Sequence, residues 1–346
     1  MKPGCYTALV TPFTEEGTQI DQAGLEQLVN FQITNGITGI LAVGTTGESP
    51  TLAWNEHNTT VDTVTALCKD KCLCIAGTGS NNTHEALNAT EHAAKQGVDA
   101  VLLVDPYYNG PSSLEIRREY VAPIAQRFPD LHIIPYVIPG RTGAQLLPED
   151  LALLYQAYPN VGSVKEATAD LNNMRRTRSC CGESYTILSG DDSMTFDMIT
   201  DSGIKAAGTI SVASNVAPQA MTQLTTLLVS GDITGAKTLL KKVAPLFELV
   251  TVKTTEKTAH GEVVCRARNP LAIKTLMRLL GMPAGPCRRP MGKMTRNGLD
   301  KVLAVARQLW SEAPEILQPV ASFFGVDIAE RLDNAQYQEG LYYKEY

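Results

Sequence analysis

No segment of this chain approaches the roughly 18 uninterrupted apolar residues that a membrane-spanning helix requires, and Met1–Phe13 lacks the charged-then-apolar layout of a secretion signal. The first absence argues against a membrane partner, and the second makes the cytoplasm the expected compartment. Long basic runs are missing too. With 30 Lys and Arg against 36 Asp and Glu the formal net charge is −6, and nothing marks a nucleic-acid surface. There is no C-x-x-C pair, and the five histidines (His57, His84, His92, His132 and His260) show no metal-ligand spacing. Neither a metal nor another cofactor is expected. No Ser or Cys sits in a nucleophile-elbow motif, which disfavours a hydrolase.

Eight cysteines are present. Cys5, Cys74 and Cys265 lie in apolar segments and read as small core residues. Cys68, Cys72 and Cys74 cluster without a nearby histidine, and Cys180-Cys181 read as solvent-facing thiols in a loop. Free thiols in a reduced intracellular protein fit this usage best.

What the chain does have is a repeating unit. Apolar runs rich in β-branched residues cover Cys5–Phe13, Gly39–Gly44, Cys72–Gly79, Asp99–Tyr107, His132–Pro139, Val161–Ala167, Tyr185–Asp192 and Gly203–Ser211. Amphipathic helical patterns lie between them: Asp21–Gly36, Trp54–Lys69, Thr83–Gly97, Leu114–Phe128, Pro148–Tyr158 and Ser193–Ser202. Strands that are apolar throughout and alternate with helices argue for a buried parallel sheet, and eight such units for an α/β protein of the closed (β/α)8 barrel type. An open doubly wound sheet would want a glycine-rich phosphate loop, and Gly44-Thr45-Thr46-Gly47 has the wrong spacing. Helices are expected at Pro218–Leu228, Ile233–Leu249 (kinked or broken at Pro245), Asn269–Leu280 and Arg296–Ala313. Lys253–Arg268 reads as a polar surface loop, and the tail from Glu315 shows no core pattern. The expected organisation is a catalytic barrel over 1–225, a helical region over 226–313 and an extension over 314–346.

In such barrels chemistry sits at the C-terminal ends of the strands. Only Lys165 and Lys205 fall inside the expected barrel strands, Lys205 early and Lys165 late. A lysine buried there is costly to keep as an ammonium, so its pKa should fall from about 10.4 toward neutrality, leaving an amine nucleophilic toward ketones. A structural salt bridge is the competing reading. Tyr136, Thr45 and Tyr108 also lie at strand ends and could relay protons. Arg141 sits in a loop at the same mouth and could hold a carboxylate through a two-bond fork. Asp191-Asp192 are neighbours in an expected strand, so their side chains would point to opposite faces.

These residues carry a resemblance. Gly44-Thr45-Thr46-Gly47-Glu48-Ser49, Tyr136 followed by Pro139, Val164-Lys165-Glu166-Ala167-Thr168 and Ser189-Gly190-Asp191-Asp192 occur in the order found in the pyruvate-dependent class I aldolases of the dihydrodipicolinate synthase and N-acetylneuraminate lyase superfamily. The resemblance runs from about residue 3 to 310 and includes Asn269-Pro270 and Arg289-Pro290-Met291. Within the superfamily the chain looks most like the dihydrodipicolinate synthases. The resemblance implies a lyase of the lysine and diaminopimelate route, condensing pyruvate with aspartate 4-semialdehyde to 4-hydroxy-tetrahydrodipicolinate through a Schiff base on Lys165. It further implies that Tyr136, Thr45 and Tyr108 relay protons, Tyr108 from a neighbouring subunit of a homodimer or homotetramer. Thr46 would hold the pyruvate carboxylate, Gly190 and Ile210 would line the pocket, and Arg141 would bind the semialdehyde's carboxylate. Ser49, Trp54, His57, Asn81, Glu85 and Tyr107 match positions that bind lysine as a feedback inhibitor. The family's usual Asn after the tyrosine is Val137 here. That change favours an alternative, a pyruvate-dependent lyase or dehydratase acting on a 2-keto-3-deoxy sugar acid, whereas Arg141 argues against it. A catalytically silent barrel would have no need to keep the full set.

Overall fold

Strands covered on both faces must be apolar on both faces, and that is why the strand runs are continuous rather than alternating. The computed structural model describes residues 1–346 and places eight of the strands in one closed parallel barrel. They are β1 (Gly4–Ala8), β2 (Gly39–Ala42), β3 (Leu73–Gly77), β4 (Ala100–Val104), β5 (His132–Val137), β6 (Ser163–Glu166), β7 (Thr186–Ser189) and β8 (Gly208–Ser211). β8 closes on β1 with Gly4 opposite Gly208. A Cβ on Gly208 would stand 1.9 Å from the Gly4 carbonyl oxygen, so this seam admits only glycine.

Side chains alternate between two apolar layers. Tyr6, Ala8, Leu41, Ile75, Leu102, Ile134, Tyr136, Leu188 and Ile210 pack together along the barrel interior. Their neighbours in sequence, such as Cys5, Ile40, Val101, Ile133 and Val137, join a larger cluster between the strands and the surrounding helices. The helices follow the expected pattern, with side-chain caps where the chain supplies them. Asp21 accepts from the Gly24 N–H at 2.9 Å, and Asn82 from the His84 N–H at 3.0 Å.

Several expectations need correction. The helix Leu171–Cys181 was hidden by its polar composition; it buries only Met174, Thr177, Arg178 and Cys181. Cys180 and Cys181 therefore end a helix rather than sit in a loop, with Cys180 exposed and Cys181 buried. Lys205 precedes β8 in a left-handed turn at φ +51° and pairs with Glu183 at 3.0 Å. The helix Ile233–Phe247 runs on through Pro245.

The largest revision concerns Lys253–Arg268. It is an antiparallel hairpin, β9 (Thr251–Thr258) and β10 (Gly261–Arg268), not a loop. Val252 and Thr254 of β9 are buried while Thr251, Lys253 and Thr255 are exposed, a period-two pattern masked by threonine and lysine. Cys265 lies on β10, half-buried rather than in the core. The tail also has a core pattern. It forms the helices Gln318–Phe324 and Ile328–Asp333 and buries Ile316, Leu317, Val320, Ile328, Leu332 and Leu341. Phe323 and Phe324 stack 5.3 and 5.2 Å from Phe31 on the first barrel helix, Gln22–Thr34.

Candidate active site

The β5–β6 register sets Tyr136 beside Lys165 and Val137 beside Glu166. Because side chains alternate, Tyr136 and Lys165 turn to the barrel interior together, near the C-terminal ends of their strands. Lys165 Nζ lies 4.1 Å from the centroid of the Tyr136 ring. Lys165 is only 4% exposed, and none of the molecule's ion pairs involves it. Burial is the dominant influence on its pKa, which is pushed down to about 7; nearby Asp192 pulls it up and Arg141 pushes it further down. Near neutral pH a large share of this side chain is free amine.

The surroundings leave room for that amine. A Cβ on Gly190 would come within 3.1 Å of Lys165 Cγ and Cε and 2.9 Å of Ala167, so a side chain there would press on the lysine. Asp192 is not a strand residue. It opens a short turn after β7, where one carboxylate oxygen accepts the N–H groups of Val212 and Ala213, both at 2.9 Å.

The loop after β2 is held under strain. Val43 and Glu48 take φ of +49° and +57° and bracket Gly44-Thr45-Thr46-Gly47. Such positions cost about 1–3 kcal/mol each and persist only where the surroundings enforce them. Enforcement comes from Lys274, whose ammonium donates to Glu48 at 2.7 Å and to the carbonyls of Pro286 at 2.9 Å and Thr11 at 3.0 Å. The other Glu48 oxygen accepts from the Arg288 N–H at 2.8 Å. Thr46 is buried, and its hydroxyl accepts from the Asn269 side-chain amide at 2.9 Å. Burial pushes the Tyr136 phenol up to about 12, against the opposing pull of Arg141 and a hydrogen bond from the Thr45 side chain.

Arg141 sits on the helical turn Pro139–Thr142 and donates to the Asn269 carbonyl at 3.3 Å. Thr45, Thr46, Tyr136, Arg141, Lys165 and Gly190 line one open cavity of about 950 Å³, walled on its outer side by the β9–β10 hairpin and the helix Arg296–Glu312. A smaller cavity of about 180 Å³ shares Thr45, Tyr136 and Arg141 and extends to Ser49 and Tyr107.

Other expected site residues lie apart. Ile210 is in the buried interior layer and lines neither cavity. Tyr108 is 88% exposed and lines neither cavity either. Asn81 accepts from the Tyr107 N–H at 2.6 Å, and Glu85 accepts from the Ser80 hydroxyl at 2.5 Å. His57 is buried against the Gly77 carbonyl at 2.8 Å, with the half-exposed Trp54 ring 5.1 Å away. Val137 is buried in the outer layer with its side chain turned away from the cavity, so it removes no polar group from the site. Asn269, Asp192 and the Glu48–Lys274 pair went unassigned in the sequence because their partners are distant along the chain. The local signals were the motifs that contain Glu48, Asp192 and Asn269-Pro270, none of which names a partner.

Comparison with known proteins agrees with this geometry. A family model described as the Dihydrodipicolinate synthetase family matches residues 1–309. A 4-hydroxy-tetrahydrodipicolinate synthase of Methanococcus aeolicus is 38% identical over 291 residues, 84% of this chain and 93% of the relative. Among solved structures, the 4-hydroxy-tetrahydrodipicolinate synthase of Methylacidiphilum fumariolicum superposes with a TM-score of 0.82 at 33% identity, covering 93% of this chain and 99% of that one. A dihydrodipicolinate synthase from Cyanidioschyzon merolae with lysine bound gives 0.81 at 33% identity, over 89% and 98% of the two chains. With the family match extending across most of its length and a barrel that places a buried lysine beside a tyrosine, this chain belongs to the dihydrodipicolinate synthetase family.

Proposed function

We propose that Lys165 is the residue through which this chain condenses pyruvate with aspartate 4-semialdehyde, giving 4-hydroxy-tetrahydrodipicolinate for lysine and diaminopimelate biosynthesis. The observation that carries the assignment is one unpaired, buried lysine beside Tyr136 at the strand ends. The free amine attacks C2 of pyruvate, and loss of water leaves an imine. Loss of a C3 proton makes an enamine, whose C3 adds to the semialdehyde's aldehyde carbon. The amino group of that substrate then displaces Lys165 from C2, which closes the ring and frees the lysine.

Each transfer needs a proton carrier. Tyr136 and Thr45 are adjacent and line the same cavity, and Tyr108 supplies the third hydroxyl from a neighbouring copy in a homo-oligomer, a use that suits its exposure. Thr46, set by Asn269, receives the pyruvate carboxylate. Gly190 leaves space over Lys165, Ile210 packs in the interior layer that also holds Tyr136, and Arg141 takes the semialdehyde's carboxylate. Tyr136→Phe is expected to lower kcat by about 10²–10⁴ while leaving the fold intact, measured as turnover of pyruvate with aspartate 4-semialdehyde. Faster turnover of a 2-keto-3-deoxy sugar acid in the same assay would overturn the substrate assignment.

Lysine is the proposed feedback ligand, in keeping with the lysine-bound relative. Ser49 and Tyr107 line the smaller cavity that reaches Thr45 and Tyr136. Glu85 offers a carboxylate for an ammonium, and Trp54 an exposed face for an aliphatic stem, with Asn81 and His57 holding the loop and helix around them. The expected result is loss of most activity in millimolar lysine. Undiminished activity would remove this assignment.

A further inference from the structure

The β9–β10 hairpin brings charge to the barrel mouth in an arrangement that the folded chain alone does not satisfy. Arg266 pairs in register with Lys253, and directly opposite residues share a face of the sheet. Like charges so placed are destabilising. Arg268 lies two residues on and therefore on the same face. Lys301 reaches the Lys253 carbonyl at 2.7 Å from the helix beneath. All four side chains and Arg141 border the cavity that holds Lys165, and none is among the ion pairs of a chain whose net charge is −6. The acids at the same mouth do not balance them. Asp191 is engaged by the Ser193 N–H and hydroxyl, Asp192 by two backbone N–H groups, and Glu248 is a single carboxylate.

Two of these cations are fixed as a unit. Arg141 donates to the carbonyl of Asn269, the residue after Arg268, and Arg268 donates to the carbonyl of Gly140, the residue before Arg141, each at 3.3 Å. Each guanidinium is thus anchored by the backbone next to the other, with most of its N–H donors unused. The positive charge of Arg268 also bears on Arg141, a repulsion that a bound anion relieves. Asn269 links the same unit to the Thr46 hydroxyl.

We infer that Arg268 joins Arg141 in a two-guanidinium cradle for the carboxylate of the second, aldehyde-bearing substrate, with Arg266 and Lys253 adding positive charge at the same mouth. Two pre-positioned forks hold a carboxylate with defined orientation. The inference rests on the proposed reaction at Lys165, and the test separates the two.

Steady-state kinetics of Arg268→Gln and Arg268→Lys, with borohydride trapping of pyruvate in parallel, make that test. Arg268→Gln is expected to raise KM for aspartate 4-semialdehyde at least about tenfold, leaving KM for pyruvate and the trapped adduct unchanged. Arg268→Lys should recover part of the loss, since charge returns without the fork. The cradle is overturned if Arg268→Gln leaves that KM within twofold or raises both KM values alike. A changed oligomeric state with unchanged KM overturns it in favour of a subunit contact. Absence of any adduct in the parent protein would instead defeat the Lys165 reading.

Discussion

Lys274→Met is expected to destabilise the fold by about 3–5 kcal/mol, read as a lowered midpoint of thermal unfolding. Lys274 and Glu48 are 1% and 0% exposed at their side chains, and their 2.7 Å contact is accompanied by two backbone carbonyls on the cation and one N–H on the carboxylate. Removing the lysine leaves a carboxylate buried without its counter-charge, which is why one deletion costs more than the pair is worth. The double variant Glu48→Leu/Lys274→Met should therefore recover most of the loss. It should not recover activity. Glu48 ends the strained loop that carries Thr45 and Thr46, and without the ion pair its left-handed φ loses its side-chain anchor. A double variant that is both stable and fully active would show that the pair serves stability alone.

Lys165→Met should lower kcat/KM by at least about 10⁴-fold and yet unfold no earlier than the parent at pH 7. The second half follows from the burial of an amine. With a pKa of about 7 in the fold, below that of an exposed lysine, the folded state binds fewer protons than the unfolded chain between pH 7 and roughly 10.4. Stability contributed by this position thus rises with pH across that window, and below pH 7 the fold carries the full cost of a buried ammonium. Activity moves with the same group: kcat/KM for pyruvate is expected to fall about tenfold per unit as pH drops below about 7. In the Lys165→Met protein the pH dependence of the unfolding midpoint across this range should be flatter than in the parent.

Much of the barrel was legible because burial on both faces writes itself into the chain as apolar runs. The runs overshoot the strands, however. β1 stops at Ala8 although Leu9, Val10 and Phe13 are also buried, because the loop beyond the strand is held by Asn215, Lys274 and the Ala284 carbonyl. Lys165 stood out for the same reason, as a lysine late in an otherwise apolar strand. Lys205 did not belong with it, since apolarity before β8 continues into a turn. The hairpin is not legible in the sequence because one face meets protein and the other the polar mouth of the cavity, so its strands look hydrophilic. The tail helices span only 7 and 6 residues, too short for a period to declare itself. Asn269 and Lys274 meet Thr46 and Glu48 across 223 and 226 residues, contacts that no local pattern encodes. Val137 is hidden from the site because one step along a strand reverses the face, although it stands beside Tyr136 in sequence.

Borohydride reduction in the presence of pyruvate, followed by peptide mass mapping, addresses the amine directly. The expected result is a pyruvate-derived mass on the peptide containing Lys165, absent without pyruvate and absent from Lys165→Met. An adduct located on another lysine, or none in a protein that turns over both substrates, would contradict the assignment of Lys165 as the imine-forming residue.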